Sequence, residues 1–281
     1  MRILALNTFA VVLTLGLVAG AAGVRAQSPG ESGRNIVPPA ESSQPAPLQG
    51  QAPPTDPCAV PEHITNVEGK LPRVALMIKE RKVDILVEGT GSSMLPGQAG
   101  VRNAYPARLQ VAMEGRLPAV AVAVRTDVKS RRSAADMAKA LAALPPELKP
   151  GLVIWQTGTF DAMRGIDPDE FRAVLEKGVK KLRAAGIDVV LVNMQYSPRT
   201  EAMITAEPYA EAMRWVAQQN DIPLFDRLSA MRHWSENGMF DFTGSDHTRL
   251  AERVHDCIGK LLAELILDAA GIEKQEPKDV R

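Results

Sequence analysis

The chain has 281 residues, with 33 Lys plus Arg balanced by 33 Asp plus Glu. Neither sign gathers into a long run, which removes the electrostatic case for nucleic acid or an acidic polymer as partner. Two Cys and four His, with no His-x-His or His-x-x-x-His spacing and no glycine-rich phosphate loop after a strand, point to no metal and no cofactor.

Met1 and Arg2 precede an apolar stretch from Ile3 to Val24, which ends in Val24-Arg25-Ala26 before Gln27. Small residues three before and one before a cut suit a signal peptidase, so 1–26 reads as a signal peptide. The protein is then exported, periplasmic or secreted, with no stable membrane insertion after cleavage. An uncleaved anchor is the alternative, because the apolar stretch is long enough to span a bilayer.

Residues 27–57 are dense in Pro, Ser, Gly and Gln. Such a segment buries too little apolar surface to offset its chain entropy and reads as a disordered linker. The folded domain is expected over 58–270, followed by a polar tail over 271–281.

Within the domain, β-type runs are Val83 to Val87, Ala119 to Val124, Gly151 to Trp155, Asp188 to Asn193 and Ile222 to Phe225. Stretches of helical period lie between and after them: Tyr105 to Glu114, Ser133 to Leu144, Asp167 to Ala185, Glu207 to Asn220 and Thr248 to Ala270. This alternation predicts an α/β fold, a parallel sheet with helices on both faces. Ligands in that architecture sit at the carboxyl ends of the strands, so the chemistry is sought just after each run.

Cys58 and Cys257 are the only cysteines. In an exported protein an isolated pair reads as a disulfide, here from the start of the domain to its last helix; two unpaired thiols are the alternative.

The first strand is followed by Glu88-Gly89-Thr90-Gly91-Ser92-Ser93-Met94-Leu95-Pro96-Gly97. A serine on a glycine-rich turn leaving a strand can present its hydroxyl beside backbone N–H groups, as a nucleophile opposite an oxyanion requires. Gly91-Ser92-Ser93 resembles the first signature block of the SGNH (GDSL-like) hydrolases, and Tyr105-Pro106-Ala107-Arg108-Leu109 resembles the segment that opens their next helix. Asn193 to Pro198 and Met231 to Trp234 resemble strings of an exported bacterial branch of the same proteins. The resemblance spans nearly the whole domain. It implies a three-layer, flavodoxin-like arrangement with strand order 2-1-3-4-5, Ser93 at the nucleophile position, and an ester substrate on a small molecule, carbohydrate or lipid.

Three blocks depart from the family pattern. Thr157-Gly158-Thr159-Phe160-Asp161 resembles the third block, but Phe160 stands where an Asn would donate to the oxyanion. No Gly occurs in Arg125 to Ser130, where the second block should fall. In Asp241-Phe242-Thr243-Gly244-Ser245-Asp246-His247-Thr248-Arg249, the register of the fifth block puts Asp246 at its Asp and Arg249 at its His. A guanidinium cannot act as a base near neutral pH.

Two functions follow. In the first, a serine esterase or acetylesterase, Ser93 attacks, His247 takes its proton, Asp246 or Asp241 orients the imidazole, and the N–H groups of Ser93 and Gly158 hold the oxyanion. His255, two helical turns beyond His247, is a weaker candidate for the base. In the second, the domain keeps the fold without the chemistry and binds a cell-envelope glycan or a partner protein. Oligomeric state is not legible.

Overall fold

The computed structural model describes residues 56–65 and 68–272. The expected signal peptide, nearly all of the expected linker and most of the polar tail lie outside the described residues.

Two short helices, α1 (Glu62–Thr65) and α2 (Pro72–Lys79), lead into β1 (Lys82–Gly89). A single 3-10 turn over Gly91–Ser93 follows, then α3 (Gly97–Asn103), α4 (Tyr105–Arg116) and β2 (Ala121–Val128). Next come α5 (Ala134–Ala142), β3 (Leu152–Gln156), α6 (Thr159–Met163) and α7 (Pro168–Ala184). The chain closes with β4 (Asp188–Val192), α8 (Pro198–Met203), α9 (Glu207–Gln219), β5 (Leu224–Phe225), α10 (Arg227–Glu236) and α11 (His247–Ala269).

The strands form one parallel sheet in the order β2-β1-β3-β4-β5, as expected. Helix α4 packs on α11, while α5, α7 and α9 pack side by side. Parallel crossovers are right-handed, so reversing direction after β2 sends the second group to the opposite face. Every residue of β3 is buried, as a strand covered on both faces requires.

Local chemistry sets the helix starts. Asp167 accepts hydrogen bonds from the N–H groups of Asp169 and Glu170 ahead of Pro168, satisfying donors that a helix leaves open. The buried stripe of α7 is Phe171, Leu175, Val179 and Leu182, a helical spacing that turns one face to the core. Ser133 and Asp136 form a capping box that opens α5.

Cys58 and Cys257 form a disulfide with a Cα–Cα distance of 5.0 Å, within the range such a bond needs. Trp155 and Trp234 are fully buried, core residues and not a platform for a sugar.

Candidate functional site

Ser93 ends the 3-10 turn that leaves β1, at the carboxyl edge of the sheet. The turn folds back so tightly that a Cβ on Gly89 would sit 2.5 Å from Ser93 Oγ; only glycine admits this approach. Ser93 is 1% exposed, and its hydroxyl is engaged twice. It donates to Gln156 Oε1 at 2.9 Å and lies 2.9 Å from Tyr105 Oη.

Gln156 closes β3 and is fully buried. Its Oε1 also accepts the Thr90 N–H and the Thr90 hydroxyl, each at 2.9 Å. A backbone N–H can only donate, so that contact fixes the amide orientation. With the serine proton directed at Gln156, the Tyr105 hydroxyl donates to Ser93 Oγ. Burial pushes the Tyr105 phenol above its ordinary value of 10.0, so it stays protonated near neutral pH and is no base there.

A cation completes this network. Arg227, the first residue of α10, is 1% exposed, and its guanidinium donates to Ser92 O at 3.3 Å and Ser92 Oγ at 3.2 Å. Ser92 Oγ lies 3.4 Å from Thr90 Oγ1. One chain of hydroxyls therefore links Arg227 to Gln156. Burial draws the guanidinium down to about 10, still charged at neutral pH.

The residues expected to activate Ser93 are not brought to it. Asp246 caps α11, its carboxylate accepting the Arg249 N–H at 3.2 Å. His247 thereby becomes the first residue of that helix and is exposed. Asp241 accepts from the Thr243 N–H and hydroxyl and from the Gly244 N–H. Arg249 has an 80% exposed side chain paired with Asp246, so the Asp-x-x-Arg spacing builds a helix start. Among the described residues, no imidazole hydrogen-bonds Ser93.

His255 is buried at 8% exposure, and its Nδ1 accepts the Tyr105 N–H at 2.9 Å. It thus caps α4, and burial followed by the Arg227 charge draws its pKa down to about 4. It holds Tyr105 in place and does not touch Ser93.

One of the two expected oxyanion donors, the Ser93 N–H, is occupied. The Ser93 N–H donates to Thr90 O at 2.9 Å, and the Lys129 N–H, beyond β2, donates to Gly89 O at 3.1 Å. Asp161, the match to the third block beside Gly158, is buried and accepts the Ala134 N–H at 2.9 Å, which ties α5 to the end of β3. Phe160 has the Arg164 guanidinium 5.8 Å from its ring centroid and supplies no donor.

A second charged cluster borders the site. Glu88, 1% exposed, pairs with Arg132 at 2.6 Å, and Arg132 also reaches Asp127 at 3.2 Å. Burial pushes the Glu88 carboxyl up to about 8, with the Arg132 charge opposing. Arg132, with only 11% of its side chain exposed, thus anchors the loop after β2 to the buried end of β1.

Sequence reasoning did not single out Gln156, Tyr105 or Arg227 as the partners of the Ser92-Ser93 turn. Gln156 carried a usable signal, as the one polar residue closing an apolar strand.

Comparison with known proteins places this architecture. A two-domain esterase active on acetylated mannans superposes with a TM-score of 0.60 at 12% identity, over 77% of this chain and 59% of that chain. An acetylxylan esterase from Geobacillus stearothermophilus gives 0.50 at 17% identity, over 68% and 95%. Likeness at such identity speaks to the fold. No curated protein matches the sequence. The model of the non-GDSL lipase-like family matches residues 57–272, the whole of the sheet and its helices, and in agreement with the SGNH-type fold the chain belongs to that family.

Proposed function

We propose that this chain is an SGNH-type domain that binds a ligand at the carboxyl edge of its sheet without hydrolysing it. One observation carries the reading: the Ser93 hydroxyl is buried, its proton is directed at Gln156, its oxygen accepts from Tyr105, and no imidazole reaches it. A serine hydroxyl needs an adjacent base to become a nucleophile. The Ser93 N–H, turned to Thr90 O, and the phenyl ring of Phe160 support the same reading, since each removes stabilisation from an oxyanion.

The ligand class we favour is a carbohydrate of the cell envelope. Proteins that share the fold act on acetylated mannans and on acetyl-xylooligosaccharide, and the disulfide agrees with an exported chain. Among the described residues no helix is long and apolar enough to cross a membrane. We further propose cleavage after Ala26, a linker to Pro57 and a domain over 58–270.

The alternative, a serine esterase, is favoured by the retention of Ser93 on the turn leaving β1. Labelling by a fluorophosphonate probe separates the two. We expect no Ser93-dependent labelling of the folded protein and no release of acetate from acetylated xylo-oligosaccharide. Labelling that disappears in Ser93→Ala would overturn the binding reading, and its further loss in His247→Ala would assign His247 as the base.

A further inference from the structure

The Arg227 guanidinium differs from the paired arginines of this protein. Arg125 meets Asp84 at 3.0 Å, Arg132 meets Glu88 and Asp127, and Arg214 meets Asp226 at 3.2 Å. Arg227 is the one arginine in the buried class among the described residues, yet no carboxylate described lies within ion-pair distance of it. Its neighbour in sequence, Asp226, is turned to Asn193, Ser229 and Arg214. Removing a charge from water without a counter-charge is costly, and native proteins pair such groups or hold them for a ligand.

The hydrogen bonds around it run one way. Arg227 donates to Ser92, the Ser92 hydroxyl is directed at Thr90, and Thr90 donates to Gln156 Oε1. From the other side Tyr105 donates to Ser93, and Ser93 donates to the same oxygen. Every arm ends on one carbonyl. Two buried donors are left over, Arg227 Nε and Gln156 Nε2, neither with a partner. The cluster therefore holds a positive charge and surplus N–H groups, and it lacks acceptors. Ser92, which Arg227 touches, is only half-buried, the one member of the pair that reaches the surface.

We propose that this site binds an anionic group of its ligand, a carboxylate or a phosphate, through Arg227 and the Ser92 hydroxyl. The inference rests on the binding reading above and narrows it from a glycan to an acidic one. The planar guanidinium fork matches either oxyanion, while a neutral sugar hydroxyl leaves the charge uncompensated.

The test uses the full exported chain and three probes: tri-galacturonate for a sugar carboxylate, inorganic phosphate for a phosphate, and mannotriose as the neutral control. Titration calorimetry should give tri-galacturonate or phosphate at least tenfold tighter binding than mannotriose. Raising salt from 50 to 500 mM should weaken the anion and leave mannotriose unaffected. Arg227→Gln should abolish the preference. If circular dichroism shows that variant unfolded, Ser92→Ala, which keeps the guanidinium, should lower anion affinity severalfold. A shift of the Arg227 Nε–H resonance on titration of the unmutated protein reports the contact directly.

Which anion binds identifies the source. Equal affinity for tri-galacturonate and mannotriose, unchanged by Arg227→Gln, overturns the anion proposal and leaves the binding reading intact. Binding of none of the three probes also overturns it. Ser93-dependent fluorophosphonate labelling overturns the binding reading itself.

Discussion

Glu88 offers the most direct check on the electrostatics beside the site. Burial moves its carboxyl from 4.5 to about 8 in the folded protein, so between those values the native state holds a proton that the unfolded state releases. Stability from this group is full below pH 4.5 and is lost as pH rises towards 8. At about 1.4 kcal/mol per pKa unit the whole displacement is worth about 5 kcal/mol, and the part between pH 5 and 8 about 4 kcal/mol. Replacing Glu88 with Gln keeps the shape and removes the titration, while Arg132 retains Asp127 at 3.2 Å. Urea unfolding of both proteins at pH 5, 6.5 and 8 isolates the effect, because every other ionisable group cancels in the difference. We expect the unmutated protein to lose about 4 kcal/mol relative to Glu88→Gln across that range. A difference that is flat in pH would refute the reasoning and show that the Arg132 ion pair, not burial, governs this carboxyl.

His255 runs in the opposite sense: drawn from 6.5 to about 4, it favours the fold above pH 6.5, and about 3 kcal/mol is lost on acidification towards pH 4. His255→Gln, whose amide oxygen can still accept the Tyr105 N–H, should remove that acid sensitivity in the same unfolding assay. Gln156→Leu strands the Thr90 N–H and the hydroxyls of Thr90 and Ser93, and should lower unfolding stability by about 3 kcal/mol, at roughly 1 kcal/mol or more for each buried donor left unpaired. The double change Cys58→Ser, Cys257→Ser opens a closure spanning 199 residues. Chain entropy then predicts a loss of about 5 kcal/mol, read as a lower urea midpoint.

The parts of the fold legible in the sequence were those governed by periodicity. The five strand runs and the helices opening at Tyr105, Ser133, Asp167 and Glu207 each fall within a few residues of the observed elements, because apolar spacing and caps are local properties. Helices α2, α3, α6, α8 and α10 were not anticipated. They are short, and α3, α6, α8 and α10 each follow a strand within the connections at the carboxyl edge, where tertiary packing outweighs pattern. At the site, Ser93 was legible from its glycine-rich turn. Its partners were not: Tyr105, Gln156 and Arg227 reach the Ser92-Ser93 turn from 12, 63 and 135 positions away, separations that carry no short-range signal. Asp246 shows the converse difficulty. An Asp three residues before an Arg at the head of an amphipathic stretch reads equally as the remnant of a catalytic block and as a helix cap, and the bond from the Arg249 N–H shows the cap.

The sheet and the disulfide place different demands on a chain made from its amino end. After β1 and β2 pair, β3 docks on the other edge of β1, and β4 and β5 each dock on the strand before, so the sheet can lengthen as residues arrive. The sulfur of Cys58 has to wait for Cys257 in the last helix. At ordinary synthesis rates of about 5 to 20 residues per second, that interval is about 10 to 40 s. Throughout it the sheet is being built while Cys58 remains an open thiol, exposed to capture by other thiols or to an oxidant. The covalent link can therefore close only once the last helix is present, and until then Cys58 is open to whatever other thiol partner it meets.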